Sequence, residues 1–367
     1  MDTPLHTADD IDSRLVREMA DRFAASELGA WCERPEQVPG REDSESLVAA
    51  ARRAGILAGE AGPGCLWDGP VRDSLVILER LAARHAGMAY QLHQLALGEW
   101  LSARIGLAPG DDALVPWLPD GQAIAEIALV NFMVNGRVDP ALAALLPEPG
   151  AAIHWHCAEP WDALFTPVVL DGTVRLCLVP RQAFAGESVS AHGLDGVSLC
   201  RASLPEIAIA QAPPAIGADM LAELLGLNAL GLMAIALGVV RTAHGRALQQ
   251  ASLRQQGGCL IEQHPAVQGL LAEQESAMHV VESLLAAHTQ VPATLAELRR
   301  TFSHRLVAHR LLCAAANAAM QVFGGSGYMR DVGLERAVRD CNRLRVLAGA
   351  PADLGLFVVR ASQALAA

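Results

Sequence analysis

Two stretches of this chain combine residue types that can hold a phosphate. The first is Gln321-Val322-Phe323-Gly324-Gly325-Ser326-Gly327-Tyr328. Glycines let a backbone turn at a helix end and approach a ligand closely. Consecutive N–H groups in such a turn suit a pyrophosphate, although the same residues would also serve a plain turn between two helices. The second is Arg254. A guanidinium can grip a diphosphate through two parallel hydrogen bonds, or it can simply be a solvated charge at a helix end. Glu335-Arg336 and Arg339-Asp340 recur at spacings that pair charges along one helical face, which makes them structural. His154 and His156 alternate on one strand face. Two ligands are too few for a metal site, so they read as pocket lining or core histidines, and no metal is expected.

These residues need elements to position them. Residues 8–118 read as helices: Asp12–Leu28 with an apolar stripe at Leu15, Met19, Phe23 and Leu28, then Ser44–Ala54 ending near Gly55. A loop at 61–64 follows. Val71–Ala86 and Met88–Arg104 come next, punctuated by Gly87. Between 119 and 213 turn signals become frequent, at Pro119-Asp120-Gly121, Asn135-Gly136, Pro147–Gly150 and Asp171-Gly172. Short apolar runs lie between them: Ala123–Val130, Ala163–Leu170, Val174–Val179 and Val197–Leu199. The two runs flanking Asp171-Gly172 read as a β-hairpin. A strand and linker at 205–214 ends this region, a small antiparallel domain. From 214 to 367 long periodic segments return at about 217–256, 263–289, 294–320 and 335–348, with a shorter one after 351. Short breaks at Gly257-Gly258, Val291-Pro292 and Gly324–Gly327 make this a four-helix bundle.

Composition narrows the function classes. The 367 residues are 52% hydrophobic, carry a net charge of −12 and contain 28 arginines but no lysine. Schiff-base, pyridoxal-phosphate and P-loop lysine chemistry are therefore excluded. No basic run marks a nucleic-acid partner. The eight cysteines include no C-x-x-C pair, so zinc ribbons and redox dithiols are not expected, and free thiols suit a reducing cytoplasm. The acidic N-terminus is not a signal peptide. Leu224–Val240 is uncharged and near membrane length. Asn228 and small residues interrupt it, so it reads as a buried helix and no membrane is implied.

Several segments, in order, resemble the acyl-CoA dehydrogenase family. Residues 51–64 resemble its Gly-Leu…Pro-Glu…Gly-Gly loop without the Pro-Glu, and residues 76–94 resemble the helices that follow. Residues 193–210 resemble the end of its β-domain. Residues 254–268 resemble the turn between its first two bundle helices, and residues 321–349 resemble its Gln-x-x-Gly-Gly-x-Gly-Tyr…Glu-Arg-x-x-Arg-Asp stretch, the most specific of these. The resemblance implies three parts: a helical domain over 1–118, a β-domain over 119–213 and a four-helix bundle over 214–367. It implies FAD, contacted across a subunit interface by Arg254, Gln321, Gly324 and Gly325. It also implies an acyl-CoA thioester substrate, α,β-dehydrogenation, and an electron-transfer flavoprotein or similar acceptor.

The departures are as informative. In the family a glutamate removes the α-proton. Its position after the Arg-Asp helix is Ala348 here, and the alternative position on the first bundle helix is Asn228. Neither can take a proton at neutral pH. Glu223 lies off that helical face. Ala350 replaces a flavin-holding threonine, and Gly257 replaces an aromatic on the adenine side. The family's Thr-Glu-Pro and Trp-Ile-Thr-Asn flavin strands become Val130–Met133 and His154–Cys157. Three readings follow: a base-lacking subunit of a heteromeric dehydrogenase paired with a base-bearing sister chain in a dimer or tetramer, a self-sufficient dehydrogenase whose base does not align, or a flavin monooxygenase or oxidase on the same fold. The first is the preferred one.

Overall fold

The computed structural model describes residues 8–29, 31, 41–59, 66–106, 127–136, 152–157, 161–170, 172–183, 186–189, 192–203 and 216–367. The loop at 61–64, the turns at 119–121 and 147–150 and the strand and linker at 205–214 lie outside the described residues.

The N-terminal helices are α1 (Ala8–Glu27), α2 (Arg41–Arg53), α3 (Val71–Ala82) and α4 (Ala86–Ile105). Gly55, just past α2, is left-handed at φ 73°, a conformation that costs glycine little. The α1 stripe is only partly buried: Phe23 and Leu28 enter the core, while Leu15 is exposed. Gly87 does not break the chain between two helices as its composition suggests. It lies inside the first turn of α4, where a Cβ would stand 2.0 Å from the Asp195 carbonyl oxygen. Glycine is needed there for close packing, not for a turn.

The middle region contains two small sheets among the described residues. Strands β2 (Ala163–Leu170) and β3 (Thr173–Pro180) form an antiparallel hairpin in which Leu170 pairs with Thr173, in keeping with the hairpin expected about Asp171-Gly172. Gly172 is at φ 73°. Strands β1 (Ala152–Cys157), β5 (Ser198–Ser203) and β4 (Gly186–Val189) form a second antiparallel sheet in the order β1-β5-β4. The apolar run ending at Val130 is the exception. Residues Ile127–Asn135 form a helix, α5, and the Asn135-Gly136 signal marks its end, with Gly136 left-handed at φ 69° and its N–H donating to the Phe132 carbonyl (2.8 Å). Val130–Met133, matched above to a flavin strand, is therefore helical. A continuous apolar run has no period to distinguish strand from helix. Tertiary contact decided the matter, because α5 packs on the bundle helices.

The bundle comprises α6 (Ala218–Leu253), α7 (Pro265–Ala286), α8 (Leu295–Phe323), α9 (Leu334–Val346) and α10 (Pro351–Ala366). A two-stranded ribbon, β6 (Gln255–Gln256) and β7 (Cys259–Leu260), links α6 to α7. Between Leu224 and Val240 helix α6 is buried at every position. It contacts α3, α4, α7, α8 and α9. Its most apolar window is 94% buried. A helix that is hydrophobic all round belongs in such a core. Helix α8 also contains a window apolar enough to cross a membrane, 61% of which is buried. A Thr294–Glu297 capping box starts α8: the Glu297 N–H donates to Thr294 Oγ1 (3.2 Å), and the Thr294 N–H donates to Glu297 Oε2 (3.1 Å).

Candidate functional site

Arg254 closes α6. Its N–H donates to the Gln250 carbonyl (3.0 Å), and its carbonyl accepts from the Ile261 N–H (2.9 Å). The β6–β7 ribbon makes that second bond possible. Gln255 pairs with Leu260 and Gln256 with Cys259, and Gly257 and Gly258 form the loop at φ 65° and 84°. Two successive positive φ values define the tight hairpin turn that glycine pairs favour. The guanidinium then reaches the end of α8, where Arg254 Nη1 donates to the Phe323 carbonyl (3.1 Å).

That contact brings Arg254 to the glycine-rich turn. Helix α8 stops at Gly324, which has φ 61° and ψ −139°, a backbone essentially reserved for glycine. A Cβ built on Gly324 or Gly325 would meet no atom within 4 Å, so both face open space. Gly327 differs, since a Cβ there would lie 2.4 Å from the Met320 carbonyl oxygen. The Phe323 carbonyl also accepts from Ser326 Oγ (2.9 Å). Gln321 and Arg254 are exposed at this corner. A second cation supports it: Arg246 donates to the Val332 carbonyl, and its guanidinium carbon lies 6.0 Å from the Phe323 ring centroid. The structure therefore gathers Arg254, Gln321, Gly324 and Gly325 at one exposed corner. An exposed guanidinium beside two open glycines suits an anionic, close-approaching ligand such as a diphosphate.

The turn after α9 is different. Leu347 and Ala348 are buried, and Ala348 is one of two non-glycine residues with positive φ (51°) among the described residues. Buried Arg305 of α8 holds it there, with Nη1 donating to the Ala348 carbonyl (3.0 Å) and Nη2 to the Leu347 carbonyl. The guanidinium thus caps the C-terminus of α9. Burial lowers its pKa to about 9, so it remains charged at neutral pH. No sequence signal separated Arg305 from the many other arginines. Its partner is a carbonyl distant in sequence, which only folding brings near.

Asn228 lies in a buried polar cluster. Its Oδ1 is 3.2 Å from His93 Nε2 and accepts from Gln94 Nε2 (3.1 Å). Burial pushes the His93 imidazole down to about 4, so it is neutral at pH 7. Gly231 makes room for the ring, since a Cβ there would lie 2.4 Å from His93 Cε1. Glu223 is not part of this cluster; its carboxylate lies 3.7 Å from Arg104.

The charges of α9 are structural, as their spacing suggested. Arg339 donates to both oxygens of Glu335 (2.6 and 3.1 Å) and to Asp195 (3.2 Å). Asp340 is buried and accepts from the Leu194 N–H (2.6 Å), and burial raises its carboxyl to about 7. These bonds tie α9 to the middle region. His154 and His156 fall in β1, opposite Arg201 and Leu199. Among the described residues no group of three or more metal-ligating side chains converges.

Comparison with known proteins shows what this chain is similar to. Residues 216–360 match the acyl-CoA dehydrogenase C-terminal domain. A probable acyl-CoA dehydrogenase of Bacillus subtilis (strain 168), YngJ, is 28% identical over 136 residues, 36% of this chain and 35% of that protein. The 3-sulfinopropanoyl-CoA desulfinase of Paraburkholderia xenovorans is 30% identical over 124 residues, 33% of this chain and 31% of that one. These matches span about a third of each relative's length. In structure, butyryl-CoA dehydrogenase of Megasphaera elsdenii superposes with TM-score 0.72 at 15% identity, covering 99% of this chain and 100% of that one. Nitroalkane oxidase superposes with TM-score 0.73 at 14% identity, covering 98% and 96%. Residues 216–360 thus match the acyl-CoA dehydrogenase C-terminal domain in sequence, and the chain shares the fold of these structures over nearly its whole length.

Proposed function

We propose that this chain is an FAD-binding member of the family that serves as the base-lacking subunit of a heteromeric acyl-CoA dehydrogenase in the cytoplasm. FAD, when bound, supplies the hydride acceptor for α,β-dehydrogenation of an acyl-CoA thioester. This chain's contribution is to hold the diphosphate. Arg254 supplies the charge, the Gly324-Gly325 backbone permits close approach, and Gln321 supplies an adjacent amide, at a corner presented to a neighbouring subunit. A sister chain supplies the carboxylate base, and an electron-transfer flavoprotein or similar acceptor takes the electrons.

The observation that carries this reading is that neither base position of the family holds a proton acceptor. Ala348 is a buried methyl pinned by Arg305, and the Asn228 carbonyl oxygen is committed to His93 and Gln94. Loss of a general base costs about 10²–10⁴ in rate. Purified alone, the chain should show only baseline acyl-CoA turnover while still binding ADP or FAD at this corner. Co-expression with a family member carrying the glutamate should yield a complex that turns over. Robust acyl-CoA turnover by the isolated homomer would sink the subunit reading. Oxygen-dependent oxidation of a substrate other than an acyl-CoA would instead point to an oxidase or monooxygenase.

A further inference from the structure

A groove of about 410 Å³ opens between α1, α3, α6 and the end of α7. It shares no lining residue with the Arg254 corner or the Asn228 cluster. Arg241, its residue nearest Arg254 in sequence, lies 13 positions away on the same helix, roughly 20 Å along its axis. Its volume falls within the range of small-molecule pockets.

The lining combines two chemistries. Leu75, Leu237 and Leu285 are buried side chains that form an apolar floor. Three guanidiniums stand around it: Arg17, Arg72 and Arg241. Arg241 is fully engaged, since it donates to Glu79 (2.5 Å) and to Glu282. Arg17 and Arg72 are exposed and have no carboxylate partner among the described residues. Three cations against two carboxylates leave one positive charge. His288 also lines the groove and is only 2% exposed. Its Nε2 is 3.0 Å from His304 Nδ1, and its own Nδ1 is buried with no partner among the described residues. Burial holds the imidazole at about 4, so it is neutral and adds no charge at pH 7. A buried polar atom without a partner is costly, and a water, which can donate or accept, would relieve it.

We propose that this groove is a binding site for an aliphatic carboxylate, with the headgroup between Arg17 and Arg72 and the chain over Leu75, Leu237 and Leu285. A single net positive charge matches a monoanion, and the apolar floor requires a hydrocarbon tail. A phosphate or sulfate without a tail would leave the floor uncovered.

The test is calorimetric titration of the full chain with decanoate at pH 7.5, alongside decanol and inorganic phosphate. The expected result is saturable binding of decanoate below about 1 mM and at least about tenfold weaker binding of decanol or phosphate. The double variant Arg17→Glu/Arg72→Glu, at exposed positions, should weaken decanoate binding at least about tenfold with unchanged ADP affinity and melting temperature. Val76→Trp, which narrows the groove without altering its charge, should also weaken it. Absence of saturable binding would overturn the proposal. So would equal affinity in the double variant, because decanoate would then occupy a different acyl pocket.

Discussion

Two turns end successive helices of the bundle, and they have opposite properties. The turn after α8 is open. Gly324 and Gly325 face empty space, and the nearby Arg254 side chain is exposed and, among the described residues, makes one hydrogen bond, to a carbonyl. The turn after α9 is closed. Leu347 and Ala348 are buried, and a buried guanidinium occupies both of their carbonyls. An exposed turn with an available cation can bind an anion. A buried turn capped by its own protein is scaffold. The groups suited to anion contact sit on the first, and Ala348 sits on the second.

Substitution at Arg305 is the most severe test of this contrast. Arg305→Ala should destabilise the fold by about 2–4 kcal/mol, through two carbonyls left without donors and a cavity of side-chain size. Chemical denaturation would measure it, and a loss below about 0.5 kcal/mol would show that the closed turn does not depend on its cap. Arg254→Ala should do the reverse. Stability should stay within about 0.5 kcal/mol, as for an exposed side chain, while ADP or FAD affinity falls about tenfold or more with loss of a charge-assisted contact. Unaltered affinity would remove Arg254 from the site. Gly324→Ala should cost about 1 kcal/mol from backbone strain alone, because nothing crowds the Cβ, and Gly325→Ala should cost less.

The smallest effect concerns pH. Asp340 titrates near 7 in the fold, above an ordinary carboxyl. Its contribution to stability is therefore full below about pH 4 and is lost as pH rises towards 7. His85, His93 and His288 are each held near 4 by burial. Their contribution is full above about pH 6.5 and is lost as pH falls towards 4. His304 and His309 are lowered by burial too, and the histidines together oppose the raised carboxyls of Asp340 and Glu99, so stability should fall on acidification. Asp340→Asn removes part of the opposing slope and should make that fall steeper in melting curves taken between pH 4 and 7. A flatter profile would show that Asp340 is ionised in the fold.

Much of the fold was legible because it depends on local chemistry. The Asp171-Gly172 hairpin follows from a two-residue turn between β-formers, and the bundle helices from long periodic segments broken by glycine or proline. The Gln321–Tyr328 turn and Arg254 were singled out for the same reason. Glycine and arginine declare their abilities by type. Other features were hidden. Ile127–Asn135 is apolar without a period, so its packing on the bundle decided that it is helical. Gly87 looked like punctuation and proved to be a packing contact with the Asp195 carbonyl.

By itself the sequence determined the order of helical, β and helical regions. It also determined which residues could hold a phosphate, and that positions 228 and 348 carry Asn228 and Ala348 with no carboxylate. These are properties of residue type and spacing. Tertiary structure decided which residues meet. It carried the Arg254 side chain to the Phe323 carbonyl through the β6–β7 ribbon, set Arg305 over Ala348, and enclosed Asn228 with His93 and Gln94. Each of these contacts joins positions far apart in the chain, and their burial and hydrogen bonding exist only once the helices have packed.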